Sequence, residues 1–394
     1  MTGLGLSEIV MARLSDVLDG HVRSGDVPGL AWSVSRGAQT WSGASGSLHA
    51  DRFEPVLTNS LFRIAELTEP LTAVAALQLV EECVVRLDDP IDELIPELAD
   101  RRVLVHPEAP LHRTVPARRA ITVRDLLTNR MGLGGAPDGV STPVLDALHG
   151  FGVGPARDGL ERSPEADEWL HRLGTLPLAS QPGDRWLAGT SAEVLGVLVA
   201  RACGTTLGRA LQARVLERLG MADTGFWVPA ERRLRLGSCY RRGCTGDALD
   251  LIDPPGGRWS HPPLFESGGV GLVSTAPDLL RFATALRTDG RCGGHRVLSW
   301  SAVRSMTTDQ LDHETIPTSE IEAGRCGWGL GVAVRRARLG LALSPGSYGS
   351  VSSFGGCWWN DPELDLSGVL LTTCAWDAPS LPAVCQDFWT CISA

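Results

Sequence analysis

Lysine is absent from this 394-residue sequence, and all 36 basic residues are arginine. No step that needs a lysine amine, as a general base or to form a Schiff base, can therefore occur in this chain. Asp and Glu number 46, which gives a formal net charge of −10 at pH 7. Nucleic acid and anionic membrane surfaces both require a basic face, so this charge argues against them and predicts a small molecule or another protein as the partner.

Export and membrane signals are also missing. No apolar run approaches the roughly 18 residues of a membrane span, and the N-terminal helix pattern lacks the basic flank and apolar core of a signal peptide. The ten cysteines are scattered through a long chain, which predicts reduced side chains rather than a disulfide framework. We therefore expect a cytoplasmic protein, whose oligomeric state the sequence does not predict.

Signatures of metals and cofactors are weak. Cys239 and Cys244 form the closest cysteine pair, but their spacing lacks the Cys-x-x-Cys form of a zinc ribbon. The glycines of GWGLGV at 327–332 lie in a strand pattern with no following helix, unlike a dinucleotide-binding turn. We expect neither a metal nor an organic cofactor.

Hydrophobic periodicity predicts a sheet made from both ends of the chain. An amphipathic helix near the N-terminus precedes the segment 29–46, which has the pattern of two strands around a turn at Arg36-Gly37. From Cys326 onward the pattern alternates again, and a last amphipathic helix closes the chain. The β-rich segments of this part are 327–337, 339–346, 350–361 and 364–376.

The middle of the chain has a different pattern. Residues 70–225 are rich in helical periodicity, apart from a predicted loop at about 134–165. We predict an α+β protein in which 1–69 and 226–394 form an antiparallel sheet flanked by N- and C-terminal helices. An inserted, mainly helical domain at 70–225 completes the molecule, with the active-site cleft between the two.

Several segments together resemble the serine β-lactamase and penicillin-binding-protein superfamily, in particular its class C β-lactamase and esterase-like branch. The resemblance covers nearly the whole chain and implies the β-lactamase/transpeptidase-like fold. Its landmarks are FRIA (62–65), ITVRDLLTNRMGL (121–133), QPGDRWLAGTSAEVLGVLVARACG (181–204), FESGGVGLVSTAPDLLRFATAL (265–286) and FGGCWWNDPELDLSGVLLT (354–372).

All three catalytic motifs that the resemblance implies are replaced. The Ser-x-x-Lys nucleophile and its lysine partner become Glu66 and Glu69. The Tyr-x-Asn motif becomes Ala188-Gly189-Thr190, and the Lys-Thr-Gly type motif aligns with 350–352 (Ser-Val-Ser). The active site is degenerate with respect to the family, so we predict no β-lactamase, DD-peptidase or ordinary serine-esterase activity.

Two glutamates one turn apart can still perform acid/base chemistry. Glu66 and Glu69 would share one helix face, where the helix N-terminus lowers a carboxyl pKa while burial and like charge raise it. A pair that shares a proton offers an acid and a base together. We predict an enzyme that isomerises, cyclises, eliminates from or hydrates a small molecule, in natural-product biosynthesis.

Two alternatives stay open. In the first, the chain is a pseudoenzyme that binds a metabolite or partner protein without turnover, and its glutamates are remnants, with Glu69 held by Arg63. In the second, the chain is an acyl hydrolase or transferase whose nucleophile has moved, to Ser191, Ser350 or Cys357. The absence of a Gly-x-Ser-x-Gly elbow argues against the second.

Nine further residues are candidates for substrate binding. Hydroxyl and amide groups near the replaced motifs could orient a ligand, aromatic side chains could line the cleft, and a histidine or tyrosine could supply a proton. Each type also has a structural role, as a helix cap, a strand residue or a core aromatic. The candidates are Arg63, Asn129, Trp186, Thr190, Ser191, His261, Tyr348, Ser350 and Ser352.

Overall fold

The computed structural model of the protein describes residues 7–135, 141–154, 163–242, 248–311, 325–376 and 381–394. Its helices are α1 (Glu8–Arg23), α2 (Glu69–Glu81), α3 (Val123–Leu127), α4 (Pro143–Gly150), α5 (Ala166–Thr175), α6 (Thr190–Cys203), α7 (Leu207–Leu211), α8 (Glu217–Leu219), α9 (Ala276–Arg287), α10 (Trp300–Met306) and α11 (Ala383–Ser393).

The strands are β1 (Gly29–Arg36), β2 (Gln39–Gly46), β3 (Phe62–Arg63), β4 (Arg102–Leu104), β5 (Thr114–Pro116), β6 (Cys239–Arg242), β7 (Leu249–Asp253), β8 (Val273–Ser274), β9 (Arg291–Cys292), β10 (His295–Arg296), β11 (Cys326–Trp328), β12 (Ala333–Arg335), β13 (Tyr348–Ser352), β14 (Gly356–Asp361) and β15 (Leu366–Thr372).

The main sheet joins the two ends of the chain. Its seven strands run in the order β11-β12-β13-β14-β15-β1-β2, and every neighbouring pair is antiparallel. Leu30 pairs with Thr372 and Arg36 with Leu366, so the first hairpin extends the C-terminal meander. The predicted α+β fold class is therefore confirmed.

Helices cover the sheet and form the rest of the core. Helices α1 and α11 pack together, with α1 against β2 and α11 against β15, while α9 packs against β1, β14 and β15. Helix α2 is buried from Glu69 to Leu79. A helix that is buried around its whole circumference is a central core helix. Glu69 therefore starts a helix that is enclosed on all sides.

Two predicted segments differ from the structure. The segment 339–346 forms turns rather than a strand, because Gly340 and Gly346 adopt positive φ angles of 54° and 85° that end extended structure. Within the predicted loop at 134–165, Thr142 caps helix α4 through a hydrogen bond from Leu145 N–H to its hydroxyl. The loop's residues 136–140 and 155–162, like Cys244, lie outside the described residues.

No single helix among the described ranges has the length and apolar character to cross a membrane. One bent pair, α6 followed by Leu207–Leu219 at an angle of 76°, meets the same criterion by length and composition only.

Candidate functional site

Glu66 lies on a short 3₁₀ turn, Ala65–Thr68, that leads into α2. The preceding Ala65 has a φ of 39°, a left-handed conformation that a residue with a Cβ adopts only where its surroundings enforce it. Ser353, just after β13, donates its backbone N–H (2.8 Å) and its hydroxyl (2.7 Å) to the Glu66 carboxylate. Ser350 Oγ approaches the Glu66 carbonyl oxygen at 3.5 Å. Glu66 is half-buried.

Glu69 is the first residue of α2, and its residue surface is 8% exposed. Its Oε1 accepts a hydrogen bond of 2.9 Å from Asn129 Nδ2. Burial, and to a smaller extent the charges of Glu66 and Glu193, raise the pKa of Glu69 to about 8 against the opposing Asn129 bond. Glu69 is therefore protonated at neutral pH.

Asn129 reaches Glu69 because of the backbone that follows α3. Helix α3 begins with a capping box between Thr122 and Asp125, and Asn129 lies just beyond its end with a φ of 54°. Asparagine adopts this left-handed conformation more readily than most residues. The backbone carbonyl oxygen of Asn129 accepts the Leu187 N–H at 2.8 Å, and this bond connects the turn to the segment before α6.

Glu193 is a third carboxyl that our sequence analysis missed. It lies on α6, is 2% exposed, and accepts a 2.7 Å hydrogen bond from Ser267 Oγ on its Oε1. Burial raises the pKa of Glu193 to about 7, opposed by bonds from Ser267 and the Gly268 and Gly269 backbone and by the charge of Arg258. The sequence did carry a signal, since Glu193 is an isolated acid in an otherwise apolar helix.

Arg63 does not hold Glu69, contrary to the remnant interpretation. Its guanidinium forms a buried ion pair with Asp253 and donates to the carbonyl oxygens of Gly237 (2.5 Å) and Pro254 (2.9 Å). It also lies 5.4 Å from the ring centre of Trp259. Arg63 therefore connects β3 to the segment after β7. The hydrogen-bond donor to Glu69 is the amide of Asn129 rather than a cation.

We predict that Arg63→Lys lowers the free energy of unfolding by about 2 kcal/mol. An ammonium keeps the charge but cannot reproduce the planar set of guanidinium bonds to Asp253, Gly237 and Pro254. Urea unfolding followed by circular dichroism measures the change. Arg86→Lys, in an exposed pair with Asp89, serves as the control and should have an effect of at most about 0.5 kcal/mol. Equal effects of the two substitutions would contradict the structural role of Arg63.

The other predicted binding residues divide into buried and exposed groups. Trp186 packs edge-on against Trp328 at a ring-centre distance of 5.2 Å. Thr190 and Ser191 have no exposed surface at the start of α6. His261 lies exposed in the loop after Arg258–Ser260. Among the described residues, no hydrogen bond joins these four side chains to Glu66 or Glu69, so their role in binding remains a prediction.

The three candidates on β13 differ in what they contact. Tyr348 is 4% exposed, packs edge-on against Trp358, and has its pKa raised by burial. Its partner across the strands, Asn360, donates its amide to a carbonyl oxygen of α9. Ser352 is fully buried, and its hydroxyl accepts the Phe354 N–H at 3.0 Å. Of the three, Ser350 is the one beside Glu66.

The proposed positions of a relocated nucleophile are all enclosed. Ser191 and Cys357 are fully buried, and Ser350 is 6% exposed. The Sγ of Cys357 lies 3.3 Å from that of Cys385, between β14 and α11 rather than beside the glutamates. None of these side chains contacts a histidine through a hydrogen bond in the described part of the chain.

A serine-histidine pair does exist elsewhere. His49 Nδ1 lies 2.8 Å from Ser238 Oγ at a cavity of about 430 Å³. However, Arg52 lies 2.9 Å from His49 Nε2. A guanidinium only donates, so this contact favours a ring proton on Nδ1 that is donated to Ser238, whereas Glu54 Oε2, which lies 3.4 Å from the same Nε2, favours a proton on Nε2. Burial and the charge of Arg52 lower the pKa of His49, and the charge of Glu54 opposes them.

Metal ligation has no candidate here. Among the described residues, no group of three or more His, Cys, Asp or Glu side chains is arranged to hold a metal ion. The site offers a carboxylate acceptor, Glu66, beside a protonated carboxyl, Glu69, which Asn129 holds by a hydrogen bond. These are the two groups that an acid/base pair requires.

Comparison with known proteins shows which proteins this chain resembles. The chain is 39% identical over 370 residues to an uncharacterized protein of Mycobacterium tuberculosis, covering 90% of this chain and 87% of that protein. It is 30% identical over 391 residues to the esterase EstB of Burkholderia gladioli, covering 94% and 92%.

The fold has close counterparts among solved structures. EstCE1, described as a hydrolase with promiscuous acyltransferase activity, superposes with a TM-score of 0.82 at 22% identity over 98% of both chains. The sequence profile of the beta-lactamase family matches residues 14–381. This chain therefore belongs to the beta-lactamase family, whose relatives include esterases and acyltransferases.

Proposed function

We propose that this chain is an acyl hydrolase or acyl transferase for a small-molecule ester, and that Glu66 and Glu69 replace the serine and lysine of the family. The observation that carries the proposal is the pairing of a half-buried carboxylate, Glu66, with the enclosed and protonated Glu69 at the start of α2. The esterase and acyltransferase names of the relatives support an ester as the substrate.

In this mechanism no acyl-enzyme forms. Glu66 takes a proton from water or an alcohol while the oxygen of that molecule bonds to the ester carbonyl carbon. Glu69 hydrogen-bonds the carbonyl oxygen as negative charge develops there, as a neutral carboxylic acid can. When the tetrahedral intermediate collapses, the bond to the leaving alkoxide breaks and the alkoxide receives the proton held by Glu66.

A second function is favoured by the contacts of Ser353. Its N–H and hydroxyl are both donated to Glu66, so neither is free to stabilise an oxyanion. This favours reactions that need proton transfer without a tetrahedral intermediate, namely isomerisation, elimination, cyclisation or hydration of a small molecule. Natural-product biosynthesis is the kind of metabolism in which such reactions are common, and it stays our prediction for either function.

A covalent probe tests the absence of a serine nucleophile. We expect p-nitrophenyl esters of short acids to be hydrolysed without a burst of p-nitrophenol. We also expect a fluorophosphonate to leave the protein unlabelled in a mass measurement of the intact chain, because the chain contains no lysine to activate a serine as in the family. A stoichiometric adduct, located on Ser238, Ser350 or Ser353 by peptide mapping, would contradict the mechanism.

The ester assay also separates the competing functions. Hydrolysis or alcohol-dependent acyl transfer by the wild type supports the first proposal. No activity toward any ester, combined with conversion of a metabolite without acyl loss, supports the second. Tight binding of a metabolite without any conversion would favour the pseudoenzyme interpretation and overturn both.

A further inference from the structure

Two cysteine sulfur atoms meet inside the protein, between β14 and α11. Cys357 Sγ lies 3.3 Å from Cys385 Sγ, and neither residue has exposed surface. A disulfide bond is about 2.0 Å long, so the two sulfurs need to move by only about 1 Å to form one. The two cysteines are 28 residues apart, so nothing in the local sequence pattern indicated the pair.

Helix α11 lies close to the sheet because β15 has a glycine beneath it. A Cβ on Gly368 would lie 2.7 Å from Trp389 Cη2 and 2.8 Å from Ile392 Cδ1. Both distances are shorter than packed heavy atoms allow, so this position requires glycine. The buried face of α11, which includes Cys385 together with Trp389 and Ile392, therefore rests directly on the sheet.

Cys357 faces that helix because side chains alternate between the two faces of a strand. Cys357 and Trp359 belong to the buried cluster that contains the inner face of α11, whereas Trp358 packs edge-on against an aromatic ring of α9 on the other face. Cys357 pairs with Val351 on one side and with Leu370 on the other. The strand is therefore held along both edges, which fixes the position of the Cys357 sulfur.

The pair lacks the further ligands that a metal would need. Both cysteines are free thiols in the structure. A structural zinc ion requires four ligands, and among the described residues no group of three or more His, Cys, Asp or Glu side chains is arranged to hold a metal ion. Two thiols in contact without further ligands form a dithiol, whose characteristic reaction is oxidation to a disulfide.

We propose that Cys357 and Cys385 are a site of reversible modification, where a disulfide bond joins α11 to β14 when a low-molecular-weight disulfide acts as the oxidant. The thiolate of one cysteine attacks the oxidant RSSR, whose S–S bond breaks, and one RS⁻ leaves and takes up the proton that the thiol lost. The thiolate of the other cysteine then attacks the protein sulfur of this mixed disulfide and releases the second RSH. The protein loses two electrons and two protons, and the oxidant gains both.

The bond would secure the last helix to the strand that follows the Ser353 turn. Strand β14 begins three residues after Ser353, whose N–H and hydroxyl are donated to Glu66. A cross-link restricts the unfolded chain, and it leaves the folded chain nearly unstrained where the sulfurs are already in contact. We therefore expect the oxidised protein to melt at a temperature roughly 4 °C higher than the reduced protein.

Refolding from urea in an excess of oxidised over reduced glutathione tests the inference, because the unfolded chain exposes both thiols. Native protein incubated in the same buffer is the second sample. Remaining thiols are blocked with N-ethylmaleimide in urea, and the protein is cleaved at acidic residues, of which Asp361 and Glu363 separate Cys357 from Cys385. We expect mass spectrometry to find the two cysteine peptides joined. Dithiothreitol should separate them and remove the gain in melting temperature.

Serine variants provide the controls. Cys357→Ser and Cys385→Ser should lack both the cross-link and the difference in melting temperature between oxidised and reduced protein. Cys83→Ser, which replaces an exposed cysteine, should keep both. Absence of the cross-link from both wild-type samples overturns the inference, as does pairing of either sulfur with Cys374 or Cys391 instead. The peptide map of the wild type decides even if a serine variant does not fold, and it needs no substrate, so it is independent of the proposed function.

Discussion

The free energy of unfolding should fall as the pH rises between about 5 and 8, and Glu69→Gln should remove a large part of that fall. Folding raises the pKa of Glu69 from 4.5 to about 8. Between these values the folded protein holds a proton that the unfolded chain has lost. Stability that comes from this proton is fully present below the unfolded pKa and is lost as the pH rises through the folded one.

The size of the effect follows from one proton. Each fully linked proton changes the free energy of unfolding by up to about 1.4 kcal/mol per pH unit. Glu193, whose pKa is raised to about 7, contributes a second slope of the same sign up to that pH. His21, with a raised pKa, and His49, with a lowered pKa, contribute slopes of opposite sign to each other. The difference between wild type and variant isolates Glu69.

Urea unfolding at a series of pH values measures these slopes. Glu69→Gln keeps the size of the side chain and has no proton to lose, so its curve should be flatter than that of the wild type. Glu108→Gln makes the same chemical change on the surface and should reproduce the wild-type curve. Identical slopes for wild type and Glu69→Gln would show that Glu69 is ionised when folded, and the acid of the proposed pair would be lost.

Glu66→Gln should reduce turnover by a factor of roughly 10² to 10⁴, the usual contribution of a general base. A glutamine amide still occupies the space beside Ser353, but it cannot accept a proton from water, an alcohol or carbon. Glu69→Gln should cost less, because its amide still donates a hydrogen bond to a carbonyl oxygen. In the wild type the rate should decline above about pH 8 as Glu69 loses its proton, and Glu69→Gln should remove that decline.

Steady-state kinetics on the ester that the wild type hydrolyses fastest gives these ratios. Thermal melting at the assay pH confirms that each variant is folded, and Glu108→Gln again provides the matched control. Full activity of folded Glu66→Gln would rule out this residue as the base. An equal loss in Glu66→Gln and Ser353→Ala would instead show that the turn after β13, rather than the carboxylate, sets the rate.

Local pattern predicts the main elements of the fold, and the resemblance to a known family selects Glu66 and Glu69 as candidates. The strands β1 and β2 and the helices α1 and α11 were predicted because their apolar residues repeat with the period of each element. Glu66 and Glu69 were found because the segments around them resemble a family whose motif positions are known. The strand predicted at 339–346 failed because two glycines with positive φ turn the chain there.

Long-range packing explains what the sequence did not reveal. Arg63 and Asp253 are 190 residues apart, so nothing near Arg63 indicated its partner. Glu193 meets Ser267 across 74 residues, and the two come together only because glycines let a loop approach α6. Asn129, a predicted binding residue, contacts Glu69, and this bond depends on the conformation at the end of α3.

Conversion of the native metabolite is the most direct test of the carboxylate pair. Extract from a native strain in which the gene has been deleted is incubated with pure wild type, Glu66→Gln or Glu69→Gln protein and analysed by mass spectrometry. We predict that the wild type consumes a compound that accumulates in the deletion strain, and that folded Glu66→Gln does not. Consumption of the compound at the wild-type rate by both variants would contradict the account.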